Sequence, residues 1–224
     1  MEQYREKLEA VIAKFTAAGA EKGHGGAADP RKYEGRLPTS VFQLWERLGF
    51  GVFLDGYFQL CDPDTYRPIL DQALGRDSDL EPSRTHPVGF SAFGEIIAWN
   101  EDHRDVRVNL VDGQVSCRWL FAPKSGIDPN ITLLTRLLLA DDASFDPLDA
   151  KGKPLFKSAR SRLGKVGPGH MYGFKPILAF GGNRTAASLV ACEALPHMSI
   201  LAQAQNLKLM GMNSYPPRVV RTIG

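Results

Sequence analysis

The spacing of apolar residues divides the chain into elements before any chemistry is considered. Tyr4, Leu8, Val11, Ile12 and Phe15 recur at helical intervals, which predicts an amphipathic helix over 3–18 that Gly19 can end. Residues 19–36 are rich in Gly, Ala and charge and read as a loop. Ser40 followed by Gln43 has the pattern of a capping box, predicting a helix over 41–48 with Gly49 as its stop. Between Gly51 and Leu60, two aromatic-rich apolar segments flank Asp55-Gly56, the signature of a hairpin closed by a type I′ turn. Asp62 can cap a helical turn that Pro63 opens; Pro68 interrupts it, and helix resumes over 69–74 before Gly75.

Residues 76–87 are polar and read as a second loop. Strands are predicted at 95–99, 106–110 and 114–120, the last two flanking a second Asp-Gly pair, Asp112-Gly113. A helix starts at Asp128-Pro129 and runs through Leu133, Leu134, Leu137 and Leu138. The segment 141–154, with four Asp and two Pro, reads as a boundary. Beyond it, Pro154 opens a helix bearing Leu155, Phe156, Ala159 and Leu163, closed by Gly164. Strands follow at 174–180 and 189–192, then a last helix from Pro196 with Ile200, Leu201, Ala204 and Leu207, and a loose tail over 211–224. The fold class is α+β: a domain over 1–140 with an antiparallel sheet and helices packed on one face, and a smaller, mainly helical α+β domain over 141–210.

The order of marks in the first half is specific. Leu37-Pro38 precedes a helix bearing Trp45. Gly49, the Asp55-Gly56 hairpin and Asp62-Pro63 follow, and then Phe93-Gly94 ahead of an apolar strand with Trp99. This arrangement resembles the GAD-like domain family. Leu155-Phe156, Leu163-Gly164, Tyr172-Gly173-Phe174-Lys175-Pro176 and His197-Met198-Ser199-Ile200 resemble the small C-terminal domain that often follows it. The resemblance implies an immunity protein that protects a bacterium from a type VI secretion DNase effector.

Composition narrows the classes. No stretch of about eighteen apolar residues occurs, which argues against a membrane span, and Met1–Glu6 lacks the pattern of a secretory signal. Three widely spaced cysteines, Cys61, Cys117 and Cys192, suit reduced thiols in a cytoplasm. The net charge of +2 conceals a split. Residues 151–224 hold eleven Lys and Arg against Glu193 alone, +10, which leaves −8 for the first 150. Such asymmetry speaks to partners and association rates rather than to fold.

Catalytic patterns are weak. Gly23-His24-Gly25-Gly26 reads as a linker. Gly164-Lys165-Val166-Gly167-Pro168-Gly169 lacks the P-loop spacing and its Lys-Ser/Thr ending. Glu101-Asp102-His103 with Asp105 could offer hard metal ligands but sits between two strands, as a solvated turn would. The three thiols lie in apolar, strand-like surroundings, where cysteine is usually inert. The expectation is a non-enzymatic protein with no cofactor and no metal.

Binding chemistry is richer. Asp55, Asp62, Asp64, Asp71, Asp77, Asp79 and Glu81 crowd one stretch, opposed only by Arg67 and Arg76. This is either a solvated face or an anionic patch that pairs with the basic cleft of a nuclease. Phe53, Tyr57 and Trp99 are the candidate aromatic anchors beside it, with core packing as the other reading. The expected partner is a cognate nuclease effector, bound by a monomer as a heterocomplex that covers the toxin's active site or its access to DNA. The rival reading is a nucleic-acid-associated module using the basic second half, where Lys153, Lys157 and Arg160 fall on one predicted helical face. That stretch lacks the interleaved aromatics of a single-strand binder, so nucleic acid is the weaker partner.

Overall fold

The N-terminal periodicity becomes helix α1 (Glu2–Ala17), which buries Leu8, Val11, Ile12 and Phe15. The structure is a computed structural model that describes residues 2–17, 19–22, 28–212 and 214–223. The Gly23–Gly26 linker lies outside these. After the short strand β1 (Glu21–Lys22) comes α2 (Thr39–Leu48). Its expected capping box does not form. Pro38 stands at the N-cap, and the Ser40 hydroxyl is buried with no partner among the described residues. Instead Asn130 Oδ1 accepts the Ser40 backbone N–H at 2.8 Å and the Thr39 hydroxyl at 3.1 Å. The orphan donors of the first turn are thus satisfied from 90 residues away.

The first hairpin exists, but its turn is longer than two residues. β2 (Gly51–Phe53) pairs with β3 (Phe58–Leu60) so that Phe53 faces Phe58, leaving Leu54–Tyr57 as a four-residue loop. Leu54 and Asp55 both adopt left-handed backbone, φ 51° and 59°, and Gly56 takes φ 100°. Two non-glycine residues in that region store strain that the surroundings must hold. The surroundings are the second half of the chain. The Arg160 guanidinium donates to Asp55 at 2.6 Å, and a Cβ on Gly56 would stand 3.1 Å from Lys165 Cγ.

Asp62 caps α3 (Pro63–Leu74) by accepting the Asp64 N–H, as its sequence predicts. Pro68 does not end this helix. Tyr66, Ile69, Leu70, Ala73 and Leu74 are buried, and packing on that face outweighs one lost helical hydrogen bond. The polar loop expected over 76–87 gives way at its end to β4 (Thr85–Ser91), all seven residues buried. Next come β5 (Glu95–Asn100), β6 (Arg104–Asn109) and β7 (Gln114–Ser116). The strand expected through 120 stops at Ser116 and turns into α4 (Arg118–Phe121).

Asp128 caps α5 (Pro129–Leu138), and the boundary segment carries one turn, α6 (Asp142–Phe145). α7 (Phe156–Leu163) precedes a two-stranded sheet of β8 (His170–Phe174) and β9 (Leu189–Glu193). The first of these was expected at 174–180, but Pro176 cannot donate to a ladder and the chain turns at Leu178–Phe180 instead. α8 (Ala194–Ala204) then packs on α3. Residues 211–224 are not simply a tail. After β10 (Lys208–Gly211), β11 (Arg218–Thr222) pairs with it antiparallel, and β10 lies parallel to β7. The large sheet therefore runs β1-β2-β3-β4-β5-β6-β7-β10-β11, so the chain returns from its second half to extend the sheet of its first.

One apolar core runs through both segments, from Leu8 to Ile223. Phe156 stands edge-on to Tyr57 at 5.0 Å, and Tyr172 lies 5.7 Å from Phe93. A polar clamp fixes the register. Gln59, only 3% exposed at the middle of β3, accepts the Gly169 N–H at 2.9 Å and donates to the His170 carbonyl at 2.6 Å. Just beyond, the Tyr172 N–H donates to the Ala92 carbonyl at 2.7 Å. The glycine-rich run that superficially suggests a phosphate loop is thus the strap that docks β8 on the sheet.

Replacing Gln59 by Leu removes the partner of the Gly169 N–H and the His170 C=O, two part-buried bonds, so stability should fall by about 1–2 kcal/mol. For a chain of this size that is roughly 2–4 °C in Tm for each kcal/mol, read by thermal unfolding. An unchanged Tm would show that the strap holds without the clamp.

Candidate partner-binding surface

The acidic run follows α3 and the loop after it, but much of its charge is already answered. Asp64 accepts from Lys32 Nζ at 2.7 Å and from the Tyr33 hydroxyl at 2.6 Å. The Lys32 bond, then the Tyr33 bond, hold its carboxyl below the usual range. Asp77 is 4% exposed. Burial alone would raise its pKa, but the Arg221 guanidinium and the N–H groups of Leu80 and Asp79 bring it below normal. Arg221 also donates to Asp79 at 2.6 Å. Asp55 is engaged by Arg160, and Asp62 by the first turn of α3. Asp71 is exposed on α3, its carboxylate without a partner among the described residues.

The three aromatic anchors expected beside the patch are core residues. Phe53 and Tyr57 are 1% exposed and Trp99 4%. Phe53 packs on Phe15 at 5.3 Å, Tyr57 meets Phe156, and Trp99 lies mid-strand in β5 between β4 and β6. Sequence cannot separate an aromatic that fills a core from one that anchors a partner, because both need the same apolar area.

The charge split has an internal use. Arg160 pairs with Asp55, Lys165 with Glu21 at 3.8 Å, Arg184 with Asp112, and Arg221 with Asp77 and Asp79. Each pair joins the basic second half to the acidic first. Lys14 and Asp141 make a further link within the first 150 residues, from α1 to the start of α6. Lys151, Lys153 and Lys157 remain exposed and without a carboxylate among the described residues. Because α7 starts at Phe156, Lys153 precedes the helix; Lys157 and Arg160 line one cavity on α7, and Arg160 is engaged there by Asp55.

The Glu101–Asp105 cluster is dispersed among partners. Glu101 accepts from Arg36 at 2.8 Å and from His86 Nε2 at 2.8 Å, Asp102 takes Arg84, and Asp105 takes Arg136. His86 is fully buried. Arg67, which can only donate, lies 3.0 Å from its Nδ1, so the imidazole is neutral with its proton on Nε2 toward Glu101. Among the described residues, no group of three or more His, Cys, Asp or Glu is placed to hold a metal ion. Burial raises all three thiols, Cys117 to about 12 and Cys192 to about 11.

Two surface features carry no sequence expectation. A cavity of about 330 Å³ opens between α4 and α5, walled by Trp119, Ile131 and Leu139, with Arg118 and Lys124 at its rim. The Arg104 guanidinium stacks 4.1 Å over the Trp119 ring beside it. The other is the hairpin of β10 and β11, where Met212, Tyr215, Val219 and Val220 are exposed. The β-branched run Val219-Val220 was its signal, masked by the flanking Pro216-Pro217.

Comparison with known proteins places both halves of the chain among known families. Residues 2–112 match the model of the GAD-like domain. Residues 137–205 match that of the T6SS immunity protein Tdi1, C-terminal. The crystal structure of Atu4351 from Agrobacterium tumefaciens superposes with a TM-score of 0.91 at 36% identity, covering 97% of this chain and 98% of that one. No functionally curated protein matches the chain significantly. No helix among the described residues is long and apolar enough to cross a membrane.

A buried histidine and a half-buried carboxyl give stability opposite slopes against pH. Burial lowers His86 below its usual 6.5, Glu101 only partly opposing. Above 6.5 the imidazole is neutral folded or unfolded, and below it the unfolded chain takes up a proton that the folded one refuses. His86 therefore withdraws stability as pH falls from about 6.5. Half-buried His197, also lowered by burial, acts in the same sense. Asp146 does the reverse: burial lifts it to about 6 despite N–H bonds from Phe156 and Leu155, so protonation favours the fold as pH falls toward 4. Urea midpoints between pH 7 and 5 should fall less steeply in His86→Gln and more steeply in Asp146→Asn than in the parent. Equal slopes in all three would contradict the assignment.

Proposed function

The chain belongs to the family that joins a GAD-like domain to the C-terminal domain of the T6SS immunity protein Tdi1, and from that premise we propose that it neutralises a cognate nuclease effector by binding it. The bound chain covers the toxin's active site or its path to DNA. It works in the cytoplasm, as one copy per toxin, and transforms nothing. The observation that carries this reading is the immunity-domain match over 137–205, continuous through one core with the GAD-like segment.

The physical demand on such a protein is fast capture and slow release, and the tightest known complexes include nuclease–immunity pairs. A standard interface takes about 800 Å² from each partner. The described surface of 10920 Å² supplies that with area to spare. Asp62, Asp64 and Asp71 along α3 are the carboxylates we assign to the basic cleft of the toxin. Asp77 and Asp79 follow α3 directly, and their charge, like that of Asp64 on α3 and of Asp55 in the β2–β3 loop, is largely answered from within the chain. Capture is therefore steered by a local patch rather than by net charge. The exposed Lys151, Lys153 and Lys157 favour the second reading, a nucleic-acid module. Its affinity would fall linearly with salt on a log–log plot, whereas a specific protein complex persists at about 0.5 M salt.

The test takes as its partner any nuclease-domain protein found encoded beside this chain's gene. Co-expression should restore growth, and the purified pair should co-elute. Asp71→Lys, at an exposed position without a partner, should leave Tm unchanged and slow association about tenfold at low salt. An unaltered on-rate would move the contact face away from α3, and a chain that neither binds nor protects would end the immunity reading.

A further inference from the structure

The outer edge of the nine-stranded sheet is poorly guarded. β11 has β10 on one side, and on the other no strand among the described residues. Its outward backbone groups are a template for another strand, which folded proteins normally blunt with charge, bulges or a covering loop. β11 has a bulge at Val220 against β10, and with Arg221 occupied by Asp77 and Asp79, Arg218 is its one other charge. Here Val219 and Val220 stand 55% and 52% exposed at the middle of the strand, and Met212 and Tyr215 in the turn before it are 43% and 99% exposed. Half of the large apolar side chains exposed among the described residues fall within this one hairpin.

The edge is also held in place. Arg221 is fixed to Asp77 and Asp79, Ile223 is buried, and its N–H donates to the Leu207 carbonyl at 2.8 Å. Behind β11, Leu209 and Met210 of β10 are buried. A strand that is ordered before its partner arrives loses little entropy on binding.

We infer that β11 is the docking edge for an extended segment of the effector, which adds as a further strand. A carboxylate of that segment lies against Arg218, and its apolar side chains cover Val219, Val220 and Tyr215. The inference rests on the immunity reading above. Charge selects the occupant. From Ala194 to Ile223 the chain has no Asp or Glu, while Lys208, Arg218 and Arg221 lie on the hairpin. Two copies meeting edge to edge would bring Arg218 of each to a hairpin that has no Asp or Glu of its own to answer it, and a like-charged cation directly opposite is unfavourable. Duplex DNA is a poorer match too: Arg221 is already held by two carboxylates, and Val219-Val220 offers nothing to phosphate.

The experiment pairs the full chain with a catalytically inactive form of the neighbouring nuclease-domain protein. Hydrogen exchange should show the amides of 218–222 protected in the complex. Val219→Asp with Val220→Asp should raise Kd roughly 30–100-fold by calorimetry, with Tm held. Tyr215→Asp, outside any strand and 99% exposed, carries the same test at roughly tenfold should the double variant fail to fold. Phe180→Asp, at an equally exposed apolar site elsewhere, should leave Kd unchanged. A parent chain that binds while the hairpin variants bind equally well overturns the edge and leaves the immunity reading standing. A parent that does not bind the effector overturns both. Self-association, or duplex binding, that the hairpin substitutions abolish would assign the edge to a second copy or to DNA instead.

Discussion

A single buried amide sets the relation between the two halves of this chain. Gln59 sits in the middle of a strand and meets both a donor and an acceptor of the Gly167–His170 strap. An amide is suited to this because it carries both roles in one plane, and a buried backbone group needs an answer. Once the strap is fixed, β8 begins where Tyr172 can reach the carbonyl of Ala92, and Phe156 closes over Tyr57. The ion pairs across the seam follow from that placement. Their own contribution is small where they are exposed, but they choose one docking geometry over others.

That seam changes the meaning of the charge distribution. A sequence with one acidic and one basic half invites an account of long-range attraction to something else. In this fold, Asp55, Asp77, Asp79, Asp112 and Glu21 meet cations of the same molecule. What the seam leaves over is the exposed Asp71 of α3, and an apolar strand edge tied by Arg221 to the loop after that helix. Patches of this kind select a partner more than they add affinity, which would come from buried apolar anchors.

Much of the local structure was legible from spacing alone. α1 matches its predicted helix within a residue at each end, and Asp62 and Asp128 cap the helices their sequences announce. The missed elements share a cause. β4 contains Thr85 and His86, polar residues that read as loop because their partners, Asn100, Arg67 and Glu101, are contributed by other elements. The start of α2 is completed by Asn130, so no local box was needed. β11 hides behind two prolines, and its neighbour β10 joins the sheet by a parallel pairing with β7 that no hairpin signal can announce. The binding surface was less legible still. Phe53, Tyr57 and Trp99 have the composition of anchors and the burial of core, and only the folded chain tells the two apart.

The link between Arg221 and Asp77 has a bearing on how the molecule is made. A ribosome delivers the carboxylate first and its guanidinium 144 residues later. Until then the growing chain cannot bury Asp77 without stranding a charge in a low-dielectric interior, which is expensive. The loop after α3 must stay hydrated, and the sheet unfinished at that margin, until the β11 segment has been made. Closure of this corner is accordingly coupled to synthesis of β11, and a product terminated before Arg221 would lack the counterion that lets it close.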